Sequence, residues 1–105
     1  MRDIKGYEGI YAITSCGRVW SYSTKRFRKP YVNNGGYLCI DLWKNNKRYH
    51  KTIHRLVAEA YIPNPDNLPT VDHIDFDKTN NSVNNLRWMG TENFSRHQSK
   101  GDLNV

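Results

Sequence analysis

Hydrophobic residues change their spacing near residue 53, and this change separates a β-rich first half from a mixed second half. Before it, apolar and polar residues alternate in short runs, which turn signals such as 15–17 (SCG) and 33–36 (NNGG) divide. After it, residues 54–61 (HRLVAEAY) place apolar side chains at helical spacing until Pro63 ends the pattern. A chain of 105 residues has room for one compact domain, or for two small lobes sharing one core.

We therefore predict an α+β fold, in which a small antiparallel N-terminal sheet over residues 1–52 precedes a second part over residues 53–105. The predicted elements, in chain order, are strands at 11–14, 18–22, 37–43 and 48–53, a helix at 54–61, strands at 70–71 and 86–89, and a final helix at 92–98. Most large aromatic residues should serve as core, because a small sheet and short helices need large side chains to bury enough area. These are Tyr7, Tyr11, Trp20, Tyr37, Trp43, Tyr61 and Trp88.

Charge is distributed unevenly along the chain. Residues 1–55 hold twelve Lys or Arg against three acids, a balance of +9, whereas residues 56–105 hold four against seven, a balance of −3. A basic half suits a polyanion such as nucleic acid, and an acidic half suits a divalent cation. The charge alone is equally compatible with an ordinary solvated surface. The predicted phosphate contacts are Lys25, Arg26, Arg28, Lys29, Lys44, Lys47, Arg48 and Lys51.

Residues 71–81 (VDHIDFDKTNN) are dense in oxygen and imidazole groups, and three interpretations compete. An EF-hand calcium loop starting at Asp75 is excluded, because its sixth position is Asn80 rather than Gly and its twelfth is Leu86 rather than Glu. A solvated turn built on side-chain to backbone hydrogen bonds is the better interpretation for the Asp and Asn residues taken singly. These are Asp75, Asp77, Asn80 and Asn81. The third interpretation is catalytic.

The catalytic interpretation depends on a resemblance that spans nearly the whole chain. Residues 71–75 (VDHID), 80–81 (NN), 85–88 (NLRW) and 92–93 (EN) together resemble the ββα-metal core of HNH endonucleases. Residues 53–61 resemble the helix that usually precedes that core. Residues 4–11 (IKGYEGIY) and 17–21 (GRVWS) resemble the NUMOD4-like module found ahead of it in phage and intron-encoded homing endonucleases. Each motif alone is weak, whereas their shared order and spacing make coincidence improbable.

The resemblance implies a role for each matching residue. His73 would be the general base, since imidazole exchanges protons near neutral pH. Asp72 and Asn93 would hold one Mg²⁺ or Mn²⁺ through oxygen, and Asn85 would orient His73 by a hydrogen bond. The expected reaction is hydrolysis of duplex DNA to a 5′ phosphate and a 3′ hydroxyl.

The sequence departs from the family pattern at two points. The first letter of the HNH motif is Asp72, as in the phage homing subgroup, so His54 is not that histidine. The spacing from Trp88 to Asn93 is one residue shorter than the family pattern, which leaves Ser95 or His97 as substitutes for Asn93. His97 is the second choice of metal ligand, because it lies one helical turn beyond Asn93 on the same face.

The resemblance also implies double-stranded DNA as the partner, and a monomer or weak dimer that nicks one strand per site. The alternatives are a DNA-binding module without catalysis and, at a greater distance, an RNA-binding protein with a basic sheet. Without an apolar run of about 18 residues or a signal peptide, we expect no membrane association and a phage-encoded or bacterial protein in the host cytoplasm. Homing relatives carry a further C-terminal DNA-reading segment, so either specificity is low or the sequence is part of a longer protein.

Overall fold

The computed structural model describes residues 1–90, and its first sheet is a four-stranded antiparallel meander. Its strands, neighbours in chain order, are β1 (Arg2–Asp3), β2 (Tyr11–Ile13), β3 (Val19–Ser21) and β4 (Arg26–Arg28). The turn between β2 and β3 includes Gly17 at φ +95°, a backbone conformation that L side chains rarely adopt. The hairpin predicted from the turn signal at 15–17 is therefore confirmed.

A second antiparallel sheet contains β5 (Tyr31–Val32), β6 (Leu38–Lys44) and β7 (Lys47–Thr52). Asn45 and Asn46, both at positive φ, form the two-residue turn between β6 and β7, which matches the twist of the flanking strands. The predicted antiparallel N-terminal sheet is confirmed, and the structure divides it into two sheets, because β4 and β5 do not pair with each other. Pro30 lies between them, and a proline has no N–H to continue a strand ladder.

The second half begins with helix α1 (Ile53–Tyr61), whose buried residues include Ile53, Leu56 and Val57. A two-stranded antiparallel sheet follows, made of β8 (Thr70–His73) and β9 (Leu86–Met89), with a short 3₁₀ turn at Val83–Asn85. The predicted α+β class is confirmed, whereas the predicted final helix at 92–98 lies outside the described residues. Among residues 1–90, no helix has the length and apolar character that a membrane crossing requires.

One hydrophobic core joins the two halves of the chain. It combines Ile4 and Tyr7 from the segment between β1 and β2, and Tyr11, Ile13, Val19, Ile40 and Leu42 from the two N-terminal sheets, with Ile53, Leu56, Val57 and Leu86. Two hydrogen bonds add to this contact: Tyr61 Oη donates to the Ile13 carbonyl at 2.8 Å, and the Val83 amide donates to the Ser15 carbonyl at 2.8 Å. Within the described residues, the predicted boundary at 52/53 marks a change of secondary structure and not a gap in packing.

The aromatic residues divide between core and surface. Tyr7 and Tyr11 are buried, whereas Trp43 is 47% exposed, so the prediction that Trp43 belongs to the core is wrong. Strand alternation explains this, because Leu42 on β6 points into the core and the next residue must point away from it. Trp43 thus joins the exposed, basic surface of the second sheet.

Candidate active site

The β8–β9 hairpin fixes the two central residues of the predicted site. Its register pairs Asp72 with Arg87 and His73 with Leu86. Successive residues on a strand point to opposite faces, so these two side chains have different neighbours. Asp72 accepts a hydrogen bond from Arg87 Nε at 3.1 Å, and only 10% of the Asp72 side chain is exposed.

His73 is 5% exposed and lies among ring systems from both halves of the chain. Its ring centroid is 4.8 Å from that of His54 on α1 and 5.9 Å from that of Tyr37, which immediately precedes β6. The rings of Tyr37 and His54 are themselves 5.2 Å apart. The polar contact of the His73 ring is with Asn81, whose Oδ1 lies 2.7 Å from Nε2. Packing and one hydrogen bond therefore hold the imidazole in a fixed orientation.

His54, whose ring packs against that of His73, is partly buried. Burial above all, together with the neighbouring charges of His73 and Arg55, lowers the pKa of His54 from 6.5 to about 4. His54 Nδ1 is buried and has no hydrogen-bond partner among the described residues. His54 is therefore a neutral imidazole at physiological pH, in contact with the ring of His73.

Asn85 holds the loop after β8 rather than the ring of His73. Its Oδ1 accepts from the Asp75 amide at 3.0 Å, and its Nδ2 donates to Asp75 Oδ1 at 2.8 Å and to the Asn80 carbonyl at 2.9 Å. The hydrogen bond expected between Asn85 and His73 is not among these contacts, and Asn81 makes it instead. Any effect of Asn85 on His73 therefore passes through the loop, and its catalytic role stays a prediction.

The carboxylates of the loop are occupied by local hydrogen bonds. Asn80 Nδ2, the Asp77 amide and Asn85 Nδ2 all donate to Asp75, and these contacts, that of Asn80 above all, lower its pKa. The Thr79 hydroxyl and amide donate to Asp77 Oδ1 and lower the pKa of that carboxyl in the same way. Both carboxylates therefore shape the turn, as the solvated-turn interpretation predicted for them.

Comparison with known proteins assigns both halves of the chain. Residues 2–43 match the NUMOD4 motif, and residues 51–93 match the HNH endonuclease family. The chain is 38% identical over 105 residues to DNA endonuclease I-HmuI of Bacillus phage SP01, covering 99% of this chain and 60% of that protein. The chain carries a NUMOD4 motif and an HNH endonuclease domain. Its NUMOD4 motif contains β1 to β5 and most of β6, and its HNH domain begins at the end of β7.

Two further similarities support the assignment of this HNH endonuclease homologue. A solved structure of I-HmuI, described as an HNH homing endonuclease that binds and cleaves DNA, matches it with a TM-score of 0.85 at 39% identity. That match covers 99% of this chain and 60% of the other chain. The uncharacterized HNH endonuclease L245 of Acanthamoeba polyphaga mimivirus is 42% identical over 90 residues, which are 86% of this chain and 27% of that protein. The chain thus spans 27% and 60% of the length of these two curated relatives.

HNH endonucleases are typically metal-dependent, and the described part of the HNH domain supplies one suitable ligand. Asp75 and Asp77 each accept two or more hydrogen bonds within the turn, whereas Asp72, next to His73, accepts one side-chain hydrogen bond, from Arg87. Among residues 1–90, no three acidic, histidine or cysteine side chains converge on one point. A single carboxylate still fits Mg²⁺, which proteins often bind through one or two carboxylates together with substrate phosphates. Asn93 and the second-choice ligand His97 lie outside the described residues, as does Ser95.

The predicted phosphate contacts form two groups on the N-terminal half. Lys25, Arg26, Arg28 and Lys29 belong to β4 and its flanks, and Lys44, Lys47, Arg48 and Lys51 lie along the β6–β7 hairpin. An open groove of about 520 Å³ borders the first group; Ser21, Ser23, Thr24, Arg26 and Arg28 contribute to its lining. Several of these cations also contact the protein, since Arg28 donates to Tyr11 Oη at 3.1 Å and Lys44 donates to the Gly6 carbonyl at 2.6 Å. The NUMOD4 motif therefore presents positive charge next to hydroxyl donors, a combination that suits a phosphate backbone.

Proposed function

We propose that this HNH-family protein is a metal-dependent endonuclease that hydrolyses phosphodiester bonds of duplex DNA, with His73 as its general base. The observation that carries the proposal is the fixed imidazole of His73 directly beside Asp72 on β8. Support also comes from the likeness to I-HmuI, a protein described as binding and cleaving DNA. The basic surface of the NUMOD4 motif favours DNA as the substrate, because cations on a sheet attract and orient a polyanion.

Each residue has one task in this proposal. His73 removes a proton from the water that attacks the phosphorus. Asp72, with Asn93, would hold a divalent cation, which would stabilise the negative charge that builds on the phosphate. Asn85 holds the loop between β8 and β9 in place through Asp75 and Asn80. The products are a 5′ phosphate and a 3′ hydroxyl.

We further propose that one chain nicks one strand. The chain has one proposed general base, His73, which activates one water molecule for attack on one phosphodiester bond at a time. Cutting both strands then requires a dimer or a second encounter. Substrate choice on this surface is set mainly by phosphate contacts, which position a duplex without reading its bases.

Nicking of a supercoiled plasmid in Mg²⁺, in Mn²⁺ and in EDTA tests the proposal. We expect relaxed circles with either cation and none with EDTA. His73→Ala should lower the single-turnover rate by on the order of 10²-fold or more, the usual scale for a positioned base, while DNA still binds. His50→Ala is the matched control, because His50 is an exposed histidine on β7 that contacts Asp41, and it should nick at the parent rate.

Asp72→Ala separates cleavage from binding. It should abolish nicking and leave DNA affinity nearly unchanged, because the basic residues that hold the duplex lie on the other half of the chain. A folded His73→Ala protein that nicks at the parent rate would refute the mechanism. DNA binding without nicking under every cation condition would instead make the chain a DNA-binding module, and tighter binding of single-stranded RNA than of duplex DNA would contradict the substrate.

A further inference from the structure

Asn81 has the shortest polar contact with the predicted general base, and both residues are buried. Asn81 is 4% exposed, His73 is 5% exposed, and Asn81 Oδ1 lies 2.7 Å from His73 Nε2. An amide oxygen can only accept a hydrogen bond, so Nε2 must carry the proton in this contact. In the neutral ring the lone pair is then on Nδ1, and this atom is left to accept a proton.

The nitrogen of the Asn81 amide indicates that this residue is not there to stabilise the fold. Asn81 Nδ2 is buried and has no hydrogen-bond partner among the described residues. An unpaired buried donor destabilises a fold, and an apolar side chain of similar shape avoids that penalty. The hydrogen bond to His73 is thus the contact that requires an amide at this position.

The turn between β2 and β3 packs closely against Asn81. A Cβ placed on Gly17 would lie 3.2 Å from Asn81 Cβ and 2.9 Å from Ile53 Cγ2. The Ser15 carbonyl in the same turn accepts a hydrogen bond from the Val83 amide at 2.8 Å. The backbone of the NUMOD4 motif therefore fixes the HNH loop at the residue that touches His73.

We propose that Asn81 is a positioning residue that holds His73 with its proton on Nε2 and leaves Nδ1 as the proton acceptor, and that the β2–β3 turn keeps Asn81 in place. This inference builds on the proposed function, because it names the atom of His73 that takes the proton from water. It also extends the NUMOD4 motif from a DNA-contacting surface to a support of the catalytic loop. Partners that orient a functional histidine in this way typically contribute a 10- to 100-fold effect, on the order seen for outer ligands of metal sites.

The tautomer can be measured without any cleavage. In the intact ¹⁵N-labelled protein, at a pH where the imidazole is neutral, long-range ¹H–¹⁵N correlation shows which ring nitrogen carries the proton. The His73 signals are assigned by their loss in His73→Gln. We expect the proton on Nε2 in the parent and in Asn81→Asp, which keeps the acceptor, and we expect its hydrogen-bonded resonance to disappear by exchange with water in Asn81→Leu.

Single-turnover nicking at saturating DNA measures the effect on reaction rate. Asn81→Leu should be slower by about 10- to 100-fold with unchanged DNA affinity, and Asn81→Asp should recover most of the loss. Asn84→Leu is the matched control, since Asn84 is an exposed asparagine in the same loop. It should nick at the parent rate.

A proton on Nδ1 of His73 in the parent protein would overturn the inference, and so would a folded Asn81→Leu variant that nicks at the parent rate. If Asn81→Leu does not fold, the tautomer in the parent and the rate of Asn81→Asp decide the question. If the parent protein does not nick DNA, the proposed function fails, and the tautomer measurement still decides whether Asn81 holds His73 as described.

Discussion

Replacing Gly17 by Ala tests whether the β2–β3 turn is packed against the catalytic loop as tightly as the structure indicates. Two costs add at this position. A side chain at φ +95° costs about 1–2 kcal/mol, because L residues avoid the left-handed region. The new Cβ also meets Ile53 Cγ2 at 2.9 Å and Asn81 Cβ at 3.2 Å, and overpacking of this kind costs about 1–3 kcal/mol. We expect a total loss of about 2–5 kcal/mol in the free energy of unfolding.

Gly6→Ala is the control for the backbone cost alone. Gly6 has a similar φ of +86°, and a Cβ there meets no atom within 4 Å. Urea unfolding of both variants, followed by circular dichroism, isolates the steric part as the difference between them, which should be about 1–3 kcal/mol. Equal losses in the two variants would refute the close contact between the turn and the loop.

Two further predictions concern binding and pH. Neutralising Lys25, Arg26, Arg28 and Lys29 together should weaken duplex binding. The slope of log affinity against log salt concentration should become shallower by about 0.9 for each lost phosphate contact, which fluorescence anisotropy measures. An unchanged slope would show that these residues do not contact the DNA. The pKa of His54 is lowered from 6.5 to about 4, so below pH 6.5 the unfolded chain takes up a proton that the folded chain does not. Stability should therefore fall between pH 6.5 and 4, by up to about 3 kcal/mol at this site, and His54→Gln should remove that part of the pH dependence of urea unfolding.

Features that depend on neighbouring residues were predictable from the sequence. The turn residues Asn45 and Asn46 and the helical spacing of residues 54–61 are local signals, and the structure confirms the hairpin and the helix they predict. Asp72 and His73 are consecutive residues, so their proximity likewise follows directly from the sequence. In each case the physical cause acts within a few residues, through backbone conformation or through the period of apolar side chains.

Features that depend on tertiary packing were not predictable in this way. Nothing local indicates that Tyr37 and His54 would contact His73, because the packing of three separate elements decides it. The choice of Asn81 over Asn85 as the partner of His73 depends on which of two similar side chains the loop turns inward. The exposure of Trp43 is the exception, because strand alternation on β6 predicts it, whereas the size of the side chain alone favours a core position.

The contact of the turn at residues 15–17 with the loop at residues 81–83 has a consequence for how such proteins recombine. A chimaera that joins the NUMOD4 motif of one relative to the HNH domain of another would bring together a turn and a loop whose packing surfaces are not complementary. Because the hydrophobic core also crosses the junction, the mismatch would extend to the packing around Ile53. We expect exchange between lineages to succeed mainly when both segments are inherited as one block.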